Sequence, residues 1–233
     1  MKVKLSIVIP VWNNWNFTKA CLKDLARLPD DHEVIIVNNA STDGTNNIHE
    51  AHELPKNLVV HCNDKNEGFA RGCNKGYELA RGEYVLFLNN DIRVQKDHDT
   101  WTQPLIEAAA DGSLVGPTGG LLDENLNFVS EVDKLKDGNF YISGWCICAK
   151  KETYDKLVLE SNELKGPFSE EFGLAYFEDP DMSFRAWLEH KIPFKITFVP
   201  VVHFGKMTSK KLNLSQLYLG AKKIFVNKWS GKL

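Results

Sequence analysis

The sequence predicts an α/β fold with a mostly parallel central sheet and helices on both faces. Three observations predict it. Apolar, branched runs of four to eight residues alternate with amphipathic segments over the first 95 residues. The connections between them are short and polar, as parallel βαβ units require. The most apolar run, Tyr84-Val85-Leu86-Phe87-Leu88, lacks the period-two alternation of a strand with one wet face. A run of that kind suits a strand buried on both sides.

Taken in order, Lys4 to Val11 reads as the first strand and ends at Pro10, which cannot donate to a ladder. Asn13 to Leu28 follows as a helix, with Phe17, Ala20, Cys21, Leu25 and Leu28 at helical spacing. Val34 to Val37 is a second strand, running into the loop-and-cap sequence Asn38 to Thr45 and a helix near Asn46 to His52. Leu58 to Cys62 is a third strand, and Phe69 to Ala80 a helix flanked by glycines. The fourth strand, within Gly82 to Val94, ends in Asn89-Asn90-Asp91. Beyond it the pattern predicts a helix over Trp101 to Ala110, an irregular stretch over Gly112 to Asn127 and one strand over Phe140 to Lys150. Asp181 to His190 has helical character, Phe194 to Val202 reads as a strand, and Ser209 to Trp229 as an amphipathic helix. A single domain, 1–233, is expected.

Composition narrows the function. A charge of −3 carries no basic excess, which argues against a nucleic-acid partner. Five scattered cysteines form no disulfide framework, so a reducing, cytoplasmic setting is expected; Cys146 and Cys148, without a second pair, are read as structural. The apolar part of MKVKLSIVIPVW is too short to span a membrane and lacks a small-residue cleavage site.

Polar clusters recur where strands end, and the strand ends of a parallel sheet share one rim. Asn13-Asn14, Asn38-Asn39, Asn63 to Glu67 and Asn89 to Asp91 are these clusters. Asn39 can pair with a base edge, and Arg71 and Asn74 would line the same rim from the following helix. Each Asn is equally a common turn residue. Asp91 is either the end of a polar turn or a carboxylate for a divalent cation. Neither GxGxxG nor GxxxxGK[ST] occurs, so phosphate charge would have to be met by a metal, by basic side chains or by both.

Two later segments add candidates. In YFEDPDMSFR, Pro180 suits a first helical turn, which would make Asp179 its N-cap. The alternative is a carboxylate serving as general base, kept ionised by the helix N-terminus. His203 follows an apolar strand and is either structural or a metal ligand beside Asp91, with Lys206, Lys210 and Lys211 near phosphate oxygens or simply solvated. Trp145, after Gly144, is either core or a platform for a sugar ring.

SIVIPVWN, VIIVNNASTDGT, NEGFARGCNKG, GEYVLFLNND, YFEDPDMSFR and VVHFG, in this order and spacing, resemble the signature blocks of family 2 inverting glycosyltransferases of GT-A (Rossmann-like) fold. The resemblance covers about residues 4 to 206. It implies a donor-binding half over 1–95, an acceptor-binding and catalytic half over 96–211, and a C-terminal helix over 212–233. It also implies a UDP- or dTDP-sugar donor, a glycan or lipid-linked glycan acceptor, and Mn or Mg. By position Asp91 looks like the metal-contacting carboxylate, joined by His203. Asn39 matches the residue against the base, Pro10 and Val11 the backbone at the nucleoside, and Asp179 the catalytic base with Glu178 beside it. Asn89 and Asn90 stand where the family has the rest of its Asp-x-Asp motif, and are assigned to ribose or water. Asn38-Asn39 and Asn89 replace commoner acids; Asn89-Asn90-Asp91 resembles the motif of rhamnosyl- and hexosyltransferases of bacterial surface polysaccharides. Two other readings stand beside this one: a catalytically silent nucleotide-sugar or glycan-binding module, and a sugar-phosphate nucleotidyltransferase, whose glycine-rich N-terminal loop is missing. The helix over 212–233 is expected to pack on the domain, with peripheral membrane contact as the alternative.

Overall fold

The apolar runs of the first 95 residues form four parallel strands: β1 (Leu5–Val11), β2 (His32–Asn38), β3 (Leu58–Cys62) and β4 (Tyr84–Leu88). The computed structural model describes residues 2–205 and 214–232. Between these strands run α1 (Trp15–Leu25), a 3₁₀ turn over Gly44–Glu50, and α2 (Gly68–Leu79). After β4 come β5 (Ile92–Val94), α3 (Gln103–Ala108), β6 (Leu114–Gly116), β7 (Gly119–Leu122), β8 (Phe128–Val132), β9 (Asn139–Ile142) and β10 (Cys146–Lys150). The chain continues through α4 (Lys151–Asp155), α5 (Glu178–Phe184), β11 (Phe194–Ile196), β12 (Val201–His203) and α6 (Leu214–Trp229).

Seven strands form the main sheet in the order β11-β6-β10-β4-β1-β2-β3, with β10 antiparallel to both neighbours. Strand periodicity sorts the side chains onto two faces. Ile7, Ile9, Val34, Ile36, Leu86 and Leu88 pack under α1 and α3, while Val8, Ile35, Val37, Val85 and Phe87 pack under α2. Both sets are fully buried, which is why the runs read as continuous. Gly76 lets α2 lie close on β1, since a Cβ there would collide with Val8. Cys146 and Cys148 share the α1 face of the sheet, buried and unpaired, in keeping with a structural role.

The second half departs from the expected pattern in three places. The stretch read as irregular, 112–127, contains β6 and β7. Strands of three and four residues, LVG and GGLL, are too short to show a period. Their partners define them: β6 lies between β10 and β11, and β7 is the centre of a separate antiparallel sheet, β8-β7-β9. The predicted strand over 140–150 breaks at Ser143-Gly144-Trp145, so β9 belongs to the small sheet and β10 to the large one. The run over 194–202 likewise splits at 197–200, and β12 pairs with β5 instead of continuing the main sheet.

Helix α6 buries Ala221, Phe225 and Trp229 against Phe172, Phe177 and Phe184. Phe225 and Trp229, the bulkiest apolar residues offered for membrane contact, therefore face inward, and Leu219 remains exposed. Among the described residues no helix is long and apolar enough to cross a membrane.

Candidate active site

A cleft of about 740 Å³ opens where β1 and β4 end, between the small sheet, the start of α5 and β12. Pro10, Val11, Asn89, Asn90, Asp91, Gly144, Trp145, Glu178, Asp179 and His203 all line it. They come from five short segments far apart in the chain, which the shared rim of strand ends brings together.

At one end, the β5–β12 pairing sets His203 opposite Ile92, and the Phe204 amide donates to the Asp91 carbonyl at 2.9 Å. This brings His203 Nε2 to 3.2 Å from Asp91 Oδ1 and 3.4 Å from Asn89 Nδ2. The His203 ring stacks on Trp145, with centroids 4.7 Å apart and planes 10° from parallel. Trp145 is itself held by indole donation to Thr118 Oγ1 and Glu131 Oε1. One face of Trp145 is thus covered by imidazole, and only 7% of the residue is exposed. Asn90 donates to Thr18 Oγ1 at 2.8 Å, toward α1.

Among the described residues, no three His, Cys, Asp or Glu side chains converge to hold a metal. Asp91 and His203 offer one hard carboxylate and one imidazole, both opening on the cleft. That donor set fits Mg or Mn of the kind that takes its remaining ligands from substrate phosphates and water.

At the other end, the chain reaches α5 through Tyr176 and Phe177, both with positive φ (81° and 70°). Bulky side chains rarely adopt this conformation, and it costs on the order of 1–3 kcal/mol per residue. Tyr218 of α6 packs on both rings. The turn makes Phe177 the N-cap residue, without a side-chain cap bond, and places Asp179 inside the first turn. The predicted cap at Asp179 is therefore replaced by a different contact. Its Oδ2 accepts from the Gly144 amide at 2.8 Å, which ties α5 to the break between β9 and β10. Asp181 points away from the cleft and is fully buried against Arg185, Lys228 and Trp229.

Burial pushes the Asp179 carboxyl up to about 6, against the pull of the Gly144 amide. Glu178 is raised further, to about 8, by burial and then by the Asp179 charge, and among the described residues its Oε1 has no hydrogen-bond partner. At neutral pH the pair therefore divides into a neutral Glu178 and an ionised Asp179. The folded Glu178 binds a proton that the unfolded chain releases above its ordinary value of 4.5. Stability is thus expected to fall as pH rises from about 4.5 to about 8, and to level beyond. The shift corresponds to roughly 5 kcal/mol at most. Glu178→Gln should remove most of this slope, leaving the smaller one due to Asp179. Urea unfolding between pH 5 and 9 measures it; an unchanged slope in the variant would contradict the assignment.

Several predicted residues are engaged elsewhere. Arg71 is outside the cleft, paired with Glu163 and Glu170 at 2.8 and 2.9 Å, and anchors the loop beyond α4 to α2. Asn74 is fully buried and bridges the Phe168 amide and carbonyl. Asn39 lines the cleft, but its amide donates to the Gly68 carbonyl and accepts from Asn63. Asn38 holds Asn46 and the Ser41 amide. Lys206, with Lys210 and Lys211, lies outside the described residues. Conversely, Phe128, Glu131 and Tyr141 line the cleft without having been singled out. Only recognition of the short strands β7 to β9 could have pointed to them.

A mixed sheet whose parallel half ends in Asn-Asn-Asp, faced by a Glu-Asp pair at the start of a helix, is the arrangement expected from the resemblance to sugar-transferring α/β enzymes. The chain belongs to Glycosyl transferase family 2, whose sequence profile it matches over residues 6–154, more than half its length. It is 26% identical over 218 residues to EpsH of Bacillus subtilis (strain 168), whose name gives glycosyltransferase as an inferred activity; the match covers 86% of this chain and 60% of EpsH. It is 25% identical over 163 residues to the glycosyltransferase GlyG of Streptococcus pneumoniae serotype 4, covering 68% of this chain and 50% of GlyG. The chain thus spans between half and two thirds of the length of these relatives. TarS 1-349 of S. aureus in complex with UDP-GlcNAc has the same fold, with a TM-score of 0.61 at 21% identity, covering 99% of this chain and 68% of TarS 1-349. So does the mannosyltransferase PcManGT of Pyrobaculum calidifontis in complex with GDP-Man and Mn2+, with a TM-score of 0.58 at 17% identity, covering 84% of this chain and 55% of PcManGT.

Proposed function

We propose that the chain transfers a sugar from a nucleoside-diphosphate sugar, a UDP- or dTDP-sugar, to a hydroxyl of a glycan or lipid-linked glycan, with inversion at the anomeric carbon. The observation that carries this reading is the cleft position of Asp179. It is a partly exposed carboxylate, held in place by the Gly144 amide and ionised above about pH 6, and it shares one cavity with Asp91 and His203. Relatives of the same fold bound to UDP-GlcNAc and to GDP-Man with Mn2+ support a nucleotide sugar as donor.

In this reading the nucleoside lies against Pro10 and Val11 at the end of β1, with Asn89 and Asn90 near the ribose. Asp179 accepts the proton of the acceptor hydroxyl. That oxygen attacks the anomeric carbon from the face opposite the diphosphate, the carbon–oxygen bond to the diphosphate breaks, and the nucleoside diphosphate leaves with the bonding pair. Asp91 and His203 would hold a divalent cation, which when bound offsets the charge on the departing diphosphate. Neutral Glu178 limits negative charge beside the base, so Asp179 stays the single anion of the pair.

The test is a panel of UDP-, dTDP- and GDP-sugars with Mn and a set of glycan acceptors, read as released nucleoside diphosphate and as the anomeric configuration of the product. Transfer with inversion is expected. Retained configuration would overturn the single displacement, and nucleotide binding without any release would favour a silent binding module.

A further inference from the structure

The cleft wall opposite α5 is the small sheet β8-β7-β9, and its register contains an irregularity with a consequence for the site. Gly120 pairs with Glu131, Leu121 with Ser130, and Leu122 with Phe128, so Val129 is an extra residue in β8. In a regular strand Phe128 and Glu131, three apart, would face opposite sides. The bulge resets the alternation: both now sit opposite residues of the same face of β7, and both line the cleft. On the other side of β7, Gly120 pairs with Tyr141. A Cβ at Gly120 would collide with the Tyr141 ring, so the glycine is what allows that ring to lie across β7.

Glu131 is an exposed carboxylate with a fixed orientation. Its Oε1 accepts from Thr118 Oγ1 at 2.6 Å and from Trp145 Nε1 at 3.2 Å. Among the described residues its Oε2 has no partner. Phe128 is 54% exposed, an unusual position for a large aromatic on a cleft wall. Glu131 lies close enough to Asp179 for its charge to raise that carboxyl, and the charges of both raise the Tyr141 hydroxyl.

We propose that Phe128, Glu131 and Tyr141 form the subsite for the acceptor sugar, and that it takes a neutral pyranose ring in preference to an acidic one. This rests on the glycosyltransferase reading above. The apolar C–H face of the ring lies on Phe128, and Glu131 Oε2 accepts from ring hydroxyls, which delivers a further hydroxyl to Asp179. A carboxylate on the sugar would meet Glu131 and Asp179 as like charges.

The probes are methyl β-glucoside, methyl N-acetyl-β-glucosaminide and methyl β-glucuronide, added to the protein with UDP and Mg. The readout is the indole N–H resonance of Trp145, assigned by its loss in Trp145→Phe, because that N–H donates to Glu131. The neutral glycosides should shift it saturably, with affinity about tenfold weaker in Phe128→Ala and in Glu131→Gln. Gln keeps the Oε1 acceptor and replaces only Oε2, the atom without a partner among the described residues, so Glu131→Gln should gain binding of the glucuronide. Unchanged affinities in both variants, or no saturable shift with any of the three glycosides, would overturn the subsite. UDP, dTDP and GDP binding is followed separately; its failure counts against the donor reading and not against the glycoside result.

Discussion

Replacing Asp179 by Asn is expected to lower the rate of sugar transfer by about 10²–10⁴-fold, the usual contribution of a positioned general base. Nucleotide affinity should stay within a few-fold, because Asp179 lies at the α5 end of the cleft and not at the Asp91 end. The physical reason is narrow. Asn keeps an oxygen that accepts from the Gly144 amide, so the turn and α5 remain in place. What disappears is the basic lone pair. The wild-type protein carries the same signature in its pH profile. Only the ionised carboxylate accepts a proton, so the transfer rate should fall below about pH 6, where burial sets this group. Single-turnover transfer across pH 5 to 8, alongside nucleotide binding by calorimetry, tests both statements. Substantial turnover by the Asn variant would sink the assignment of the base.

The second large effect is expected at Asp91. Among the described residues, Asp91→Asn removes the carboxylate that lines the donor end and leaves His203 as the remaining candidate ligand there. Metal affinity in the presence of nucleotide should drop by at least about 100-fold, since replacing partners merely behind a ligand already costs 10–100-fold. Fold stability should change little, because Asn fills the same volume beside His203 and Asn89. Manganese binding followed by its paramagnetic resonance, with and without UDP, reads this directly. A variant with wild-type manganese affinity would remove Asp91 from the proposed metal site. Comparison with Asn89→Ala tells whether the amide beside it contributes to the same site.

The first half of the chain was legible because its signal is local. β1, β2 and β4 bury both faces, so their apolar runs are unbroken, and their ends carry the polar residues that line the cleft. Pro10, Val11, Asn89, Asn90 and Asp91 stand at such strand ends and line one cavity, which Glu178, Asp179 and His203, assigned through the family resemblance of two later segments, line as well. Arg71 and Asn74 were not, though they stand one turn apart on a helix that borders the rim. Their partners come from residues 163–170, some 90 positions away, and no local pattern announces that loop. Trp145 shows the same limit: its indole was open to either core or sugar, and the stacking of His203 settles which group covers its face.

The sequence by itself determined the parallel α/β half and the strand-end clusters, and its ordered motifs pointed to the family. These are properties of residue type and spacing, which act over one strand or one helical turn. The tertiary structure alone decided the splitting of 140–150 and 194–202 between sheets, the strained Tyr176-Phe177 turn that presents Asp179, and the bulge that turns Phe128 and Glu131 to one face. Each depends on a partner distant in the chain. β10 lies against β4, β12 against β5, Tyr218 against the Tyr176 turn, and β7 against β8 across a shifted register. A strand of three or four residues has no stability of its own, so its existence and the direction of its side chains follow from the pairing.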